Sequence, residues 1–298
     1  METNMAQSQV VVITGSSSGF GDLMAKTLGA KGHRVFATMR DIGGRNATAA
    51  AALTSFARDH ACQIEVVELD VTDTTSVQAA IDEIHSRAAR IDVVVNNAGV
   101  AASGPLEAFD VEQMQDIFNV NVFGPMRVAK AVLPRMRQRR SGLLIHVSST
   151  LGRILPGSGG LYPASKWAVE GLAESLHYQL QPFGIDLVIL EPGSFPTPAL
   201  GKSMTPTDEA ITREYAARPA IGRRARQVPP GHVPPDPQEV ADAVAELVTM
   251  PPGGRPLRFV VGPVFTHGVR EFNATYERAR DELAESLLRP DQVISWGR

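Results

Sequence analysis

Tyr162 and Lys166 stand four residues apart in Leu161-Tyr162-Pro163-Ala164-Ser165-Lys166, a spacing that could carry proton chemistry. On a helix, residues i and i+4 share a face, so both side chains can reach one ligand. A phenol with a pKa of about 10 is a poor acid or base at neutral pH, but a nearby ammonium favours the phenolate and is expected to acidify it. General acid–base catalysis requires such tuning. Read blandly, the pair is a tyrosine at a helix start beside a surface lysine. Ser149 lies upstream, at the end of the apolar stretch Leu143–Val147, where its hydroxyl could hold a substrate carbonyl.

Other candidates sit at similar places. Thr14-Gly15-Ser16-Ser17-Ser18-Gly19-Phe20-Gly21 follows the apolar run Val10–Ile13 and opens a helical pattern. Glycines there allow a sharp turn and let backbone N–H groups approach a pyrophosphate at a helix N-terminus. The same residues also read as G-x-S-x-G, the turn that presents a hydrolase serine, with Ser17 as nucleophile. Such an elbow normally follows several strands, not the first, and only His267 stands after a late strand, so the phosphate cradle is the favoured reading. After Val35-Phe36-Ala37-Thr38, the position expected to be acidic in an NAD site is Met39, and Arg40 follows it. A guanidinium matches the 2′-phosphate of NADP in charge and fork geometry, although Asp41 could aim at a ribose diol instead. Asn96-Asn97-Ala98-Gly99 ends the run Val93–Val95 with small residues against which a cofactor could lie. Asn121 falls inside a helical pattern, where asparagine is disfavoured, so a specific bonding role is expected. Pro192-Gly193-Ser194-Phe195-Pro196-Thr197 ends the run Leu187–Leu190.

These residues need a common frame. The apolar runs, completed by Ile64–Val67 and Phe259–Val261, are short and unbroken rather than alternating, as in strands covered on both faces. Helical patterns at Gly19–Ala30, Ser76–Ala88, Met114–Met136, Pro163–Leu180 and Pro237–Val248 separate most of them. This alternation predicts one doubly wound α/β domain of the Rossmann type over residues 1–298, with about seven parallel strands. The candidates then gather at the carboxyl ends of successive strands, the side where open α/β sheets bind ligands. Residues 196–237 are rich in proline and read as a lid or insert, with Leu151, Leu155, Phe195 and Tyr215 as candidate apolar contacts for a hydrophobic substrate. Gly222-Arg223-Arg224-Ala225-Arg226 within it reads as a solvated loop. Residues 265–298 read as a helical extension, amphipathic over Phe272–Leu288.

In combination, TGSSSGFG, Asp70 followed by Val71, NNAG, Asn121, Ser149, YPASK and PGSFPT resemble the short-chain dehydrogenase/reductase family from Val10 to about Thr197. The tract Val35–Asp41 and the long C-terminal part look most similar to its retinol and 17β-hydroxysteroid dehydrogenase-like branch. The resemblance implies Tyr162 as proton donor or acceptor, Lys166 as the group that acidifies it and bonds the nicotinamide ribose, and Ser149 as the carbonyl-orienting hydroxyl. It implies that Asn121 anchors a water between Lys166 and solvent. For the cofactor it implies Gly15, Ser17, Ser18, Gly19, Phe20 and Gly21 around the pyrophosphate, and Asp70 with Val71 at the adenine. Asn97, Ala98 and Gly99 would line the adenine ribose, and Pro192, Gly193 and Thr197 would touch the nicotinamide. NADP is the expected cofactor, with NAD as the alternative. Family members usually associate as dimers or tetramers through the helices corresponding to Met114–Met136 and Pro163–Leu180.

The chain's 298 residues are 43 % hydrophobic and 20 % charged, which excludes general disorder. A net charge of −3 offers no footprint for nucleic acid, and the single cysteine, Cys62, excludes an internal disulfide or a cysteine-based zinc site; no metal is expected. No apolar run approaches the roughly 20 residues that span a bilayer, and Met1–Gln9 has no signal-peptide pattern. A cytoplasmic NADP(H)-dependent oxidoreductase acting between a carbonyl and a secondary alcohol is expected. A non-catalytic dinucleotide-binding redox sensor is the alternative; a tuned phenol would be superfluous there.

Overall fold

The computed structural model describes residues 8–155, 160–217, 234–264 and 266–287. Seven strands form one parallel sheet: β1 (Val10–Thr14), β2 (Arg34–Met39), β3 (Ile64–Glu68), β4 (Val93–Asn96), β5 (Gly142–Val147), β6 (Ile185–Pro192) and β7 (Arg258–Val261), in the order β3-β2-β1-β4-β5-β6-β7. Each expected apolar run lies in one of them. The order reverses between β1 and β4, and Val11↔Val93 and Ile13↔Val95 set the register across that point. A crevice opens beyond the strand ends at such a switch point.

Helices cover both faces. On one, α1 (Gly19–Ala30) and α8 (Gln238–Thr249) place Met24, Leu28, Val240 and Val244 against Val11, Ile13 and Ile145, and α2 (Ala47–Asp59) adds Leu53. On the other, α3 (Thr74–Arg87), α5 (Gly124–Arg139) and α6 (Leu161–Leu180) pack Ile81, Ile84, Val128, Val132 and Ala173 against Val12, Val94 and Leu144. Burying a large apolar side chain stabilises by about 1.5–3 kcal/mol, so this double cover explains why the strands read as unbroken apolar runs.

Two helical expectations change. The pattern read as Met114–Met136 is α4 (Val111–Phe118), a π-helical turn at Asn119–Phe123, and α5. Helix α4 starts with a capping box, Asp110 Oδ1 accepting from Gln113 N at 2.7 Å. The wider turn places Asn121 inward, and such bulges occur often at functional sites. Within the proline-rich segment, α7 (Glu209–Ala216) forms, and Met204 pairs with Ala102 as a parallel bridge. Residues 222–226 lie outside the described residues. Helix α9 (His267–Leu287) begins before the expected Phe272.

Candidate active site

The glycine turn is fastened to the switch point. Thr14 Oγ1 accepts from the backbone amides of Asn97 and Ala98, each at 3.0 Å. Asn97 Nδ2 donates to Thr14 O at 2.9 Å and Gly15 O at 3.1 Å, so its side chain braces the turn. Gly15 has φ +69°, and a Cβ there would stand 2.7 Å from Ala98 Cα; only glycine fits that conformation and approach. Gly21 lies as close to Gly15 O, leaving no room for a Cβ. Ser18 precedes α1 without its side chain capping the helix. The first-turn amides therefore remain open to an anion, beside the partly exposed Ser17 and Gly19. Phe20 packs edge-on against Phe195, 5.7 Å between centroids. Ser17 has no hydrogen bond to a histidine among the described residues, which leaves the hydrolase elbow without a base.

At the end of β2, Arg40 faces Asp70 at 3.8 Å, both partly exposed. Asp70 Oδ1 accepts from Thr72 N at 2.9 Å and Thr72 Oγ1 at 2.7 Å. Burial raises its pKa, but these bonds and the charges of Arg40 and Arg45 outweigh that and hold it below the usual range. Asp41, at φ +52°, turns one carboxylate oxygen onto the Arg45 amide at 2.9 Å. Val71 is buried under α5, where its carbonyl accepts from Arg127 at 3.1 Å.

Asn121 is buried by the π turn. Its Oδ1 accepts from Val100 N at 2.8 Å, and its Nδ2 donates to Val100 O at 2.9 Å and Ser165 Oγ at 3.0 Å. This fixes the loop after Gly99, where a Cβ would meet Asn121 Oδ1 at 3.3 Å and Lys166 Nζ at 3.8 Å. Lys166 donates to Val147 O at 2.8 Å, and its Nζ stands 5.6 Å from the Tyr162 ring centre. The Ser149 hydroxyl acts on the Tyr162 phenol, favouring its ionised form, and caps the short turn Thr150–Gly152 through Leu151 N at 3.2 Å.

The acidified phenol expected from the Lys166 spacing is not what this geometry gives. Burial pushes Tyr162 up to about 12, opposed by the Ser149 hydrogen bond, and Lys166 itself is pushed down to about 8 by burial, opposed by Glu170. Desolvation outweighs the pair's attraction because the ammonium is turned to the Val147 carbonyl.

At the end of β6, Gly193 N donates to Val261 O at 2.9 Å, and a Cβ there would collide with Val264 O. Thr197 and Pro198 stand over Gly19, each 3.8 Å from where its Cβ would be. The strand-end candidates thus meet pairwise: Gly15 against Ala98, Gly99 beside Asn121 and Lys166, and Gly19 beneath Thr197. Phe195 belongs to the core rather than a substrate wall: it is buried against Phe20 and Gly262. Leu155 and Tyr215 are exposed, and Tyr215 donates to Glu107 at 2.8 Å. Leu151 is partly buried.

The spacing missed a set of residues behind this site. Glu170, Glu174, Glu191, Arg153 and Arg258 are all buried. Continuing the four-residue step from Tyr162 and Lys166 would have found Glu170 and Glu174.

Residues 9–208 match the short chain dehydrogenase family. The chain is 37 % identical over 191 residues to the 3-ketodihydrosphingosine reductase of Bacteroides thetaiotaomicron, covering 64 % of this chain and 65 % of that protein. It is 39 % identical over 200 residues to human retinol dehydrogenase 8, covering 66 % and 62 %. Just under two thirds of these relatives' length is therefore spanned. Among solved structures, a short-chain dehydrogenase from Sphingobium yanoikuyae in complex with NADPH superposes with a TM-score of 0.70 at 25 % identity, covering 96 % of this chain and 99 % of that one. The chain belongs to the short-chain dehydrogenase family. Among the described residues, no helix is long and apolar enough to cross a membrane.

Proposed function

We propose that the chain is an NADP(H)-dependent oxidoreductase that interconverts a carbonyl and a secondary alcohol on a largely apolar small molecule. The carrying observation is the Tyr162–Lys166 pair along α6, with Ser149 acting on the phenol and with Lys166 Nζ 3.8 Å from where a Cβ on Gly99 would stand, at the glycine-built strand ends. The cradle fits a dinucleotide: Gly15, Gly19 and Gly21 leave space and open amides for the pyrophosphate, and Arg40 suits a 2′-phosphate. Asn97, Ala98 and Gly99 would line its adenine ribose, and Pro192, Gly193 and Thr197 would flank its nicotinamide half. When bound, the nicotinamide supplies or accepts the hydride.

The chain's own residues handle the proton. With its pKa near 12, the Tyr162 phenol is protonated at neutral pH and suited to donate to a carbonyl oxygen. Ser149 donates to the same developing oxyanion. Lys166 and Asn121 hold the floor beneath, and Asn121 is placed to anchor a water toward Lys166.

The identity to human retinol dehydrogenase 8 supports the retinol and 17β-hydroxysteroid dehydrogenase-like branch, and the ketosphingoid and retinol in its relatives' names support an apolar substrate. The segment 196–237, of which residues 218–233 lie outside the described residues, is read as a substrate lid; its described part is held by the Met204–Ala102 bridge and by Gln113 Nε2 donating to Thr205 O at 2.8 Å. Residues 265–298 are a C-terminal extension of the same single domain. Association into dimers or tetramers through the α4–α5 and α6 helices is supported by the exposed Phe123, Trp167 and Leu172.

Tyr162→Phe tests the reading. It is expected to lower turnover of a carbonyl panel, followed by NADPH absorbance, by about a thousandfold or more while NADPH binding persists. Retained turnover would remove Tyr162 as the acid.

A further inference from the structure

The Tyr162–Lys166 step continues along α6 to Glu170, Glu174 and Tyr178. Each of the first three rungs holds a different residue at the end of β5. Tyr162 meets Ser149, Lys166 donates to Val147 O at 2.8 Å, and Glu170 Oε1 accepts from Ser148 Oγ at 2.6 Å. Glu170 is only 2 % exposed. The turn after Ser149 is fitted to it: a Cβ on Gly152 would collide with Glu170 Oε1 and stand 2.7 Å from Ser148 Oγ.

Behind Glu170 lie charges from three other parts of the chain, and α9 adds polar groups. Arg153, following β5, has Nε 3.8 Å from Glu170 Oε2. Arg258 of β7 has Nε 3.5 Å from the same oxygen and 3.3 Å from Glu191 Oε1 of β6, and its Nη2 donates to Glu174 at 2.7 Å. Helix α9 closes the cluster. Asn273 accepts from Arg153 Nε at 2.8 Å and donates to Glu191 Oε2 at 2.7 Å, while Tyr276 donates to Glu174 at 3.1 Å. The Arg153 guanidinium also stands 4.7 Å from both the Phe272 and Tyr276 ring centres. Two guanidinium groups and three carboxyls are thus buried together. An apolar cluster of similar volume would avoid a desolvation cost of several kcal/mol per ion, so stability alone does not account for it.

We propose that Glu170 is a positioning residue: its carboxylate fixes the Ser148–Ser149 strand end and the Lys166 ammonium in one register along α6, and α9 locks that carboxylate through Arg153, Asn273 and Glu191. The inference rests on the reading of Tyr162, Lys166 and Ser149 as the reacting groups. The electrostatics agree with it. Burial pushes Lys166 down to about 8, and the Glu170 charge is the influence that opposes it. Burial pushes both Glu170 and Glu191 up, Glu191 to about 8 with help from the Glu170 charge, while Ser148, Arg258 and Arg153 oppose the rise at Glu170. The charged and titratable groups around Glu170 are Lys166 and Glu174 on α6, Arg153, Glu191, Arg258 and Tyr276. His146 on β5 faces Lys166.

Glu170→Gln keeps a carbonyl acceptor for Ser148 and removes only the charge. Nitrogen NMR of the five lysine side chains follows Lys166 without any substrate. Its midpoint is expected to fall by about one pH unit in Glu170→Gln. The alkaline limb of kcat for carbonyl reduction should move down with it, and kcat should fall about tenfold while KM for NADPH changes less than about threefold. Ser148→Ala keeps the charge and removes the tie to Ser149; kcat should fall about fivefold with the Lys166 midpoint unmoved. This variant decides the matter if the charge deletion does not fold. An unmoved Lys166 midpoint in folded Glu170→Gln, or wild-type kcat in Ser148→Ala, would overturn the proposal. A shifted midpoint in a chain that turns over no carbonyl would uphold the coupling of Glu170 to Lys166 and remove the proposed function instead.

Discussion

The two halves of the sheet bury themselves by different chemistry. Strands β1, β2 and β4 bury no charged side chain, and the crevice at their ends is shaped by backbone: glycines, a bracing asparagine and an uncapped helix start. Their charged groups, Arg40 and Asp70, stay at the water's edge. Strands β5, β6 and β7 bury His146, Glu191 and Arg258, and the last two connect to α6 and α9. A ligand held by backbone amides needs shape, whereas side chains that move a proton need fixed charge around them. The difference matches a division between holding a nucleotide and performing chemistry.

Breaking the charged half should cost the most. Arg258→Ala leaves Glu170, Glu174 and Glu191 without their shared guanidinium and is expected to lower unfolding free energy by about 3–5 kcal/mol in urea denaturation. A loss below about 1 kcal/mol would mean the charges are solvated and the contrast between the halves is false.

His146 gives the next effect. Both of its ring nitrogens lack a hydrogen-bond partner among the described residues, and burial, helped by Lys166, pushes its pKa down to about 4. A depressed folded-state pKa means this stability is present above the unfolded value, about 6.5, and is lost as pH falls toward 4. His146→Leu should therefore flatten the decline in melting temperature between those pH values, sparing about 3 kcal/mol at the acid end. An acid limb identical to wild type would show that His146 is hydrated.

The smallest change in stability is expected on the other side of the sheet. Arg40→Ala removes an exposed pair and should shift unfolding by less than about 1 kcal/mol. It should nevertheless weaken NADPH about tenfold or more while sparing NADH, as read by fluorescence titration. Equal weakening of both nucleotides would dissolve the assigned phosphate contact.

Much of this was legible before any coordinates. Runs such as Val10–Ile13 and Leu187–Leu190 read as strands because helices cover both faces, and TGSSSGFG and YPASK mark the turn into α1 and the start of α6. Helix α2 escaped because nearly half its segment is alanine with Leu53 its one large buried residue, so propensity rather than apolar period marks it. Phe195 looked like a pocket residue because it sits in a strand-end motif, yet packing against Phe20 takes it into the core. Asp41 gave no local sign of where its carboxylate turns until its φ and its bond to Arg45 showed it.

The chain's order of residues by itself determined the parallel sheet, the glycine turn and the Tyr162–Lys166 pair, because those depend on period, local backbone freedom and helical spacing. Only the tertiary structure decided the protonation environment. Arg153, Glu191, Arg258 and Asn273 are distant in sequence, and none carries a local signal of the others. Their meeting beneath Glu170 arises from how β5, β6, β7, α6 and α9 stack, and burial there, rather than spacing, sets the charge of the groups that would react.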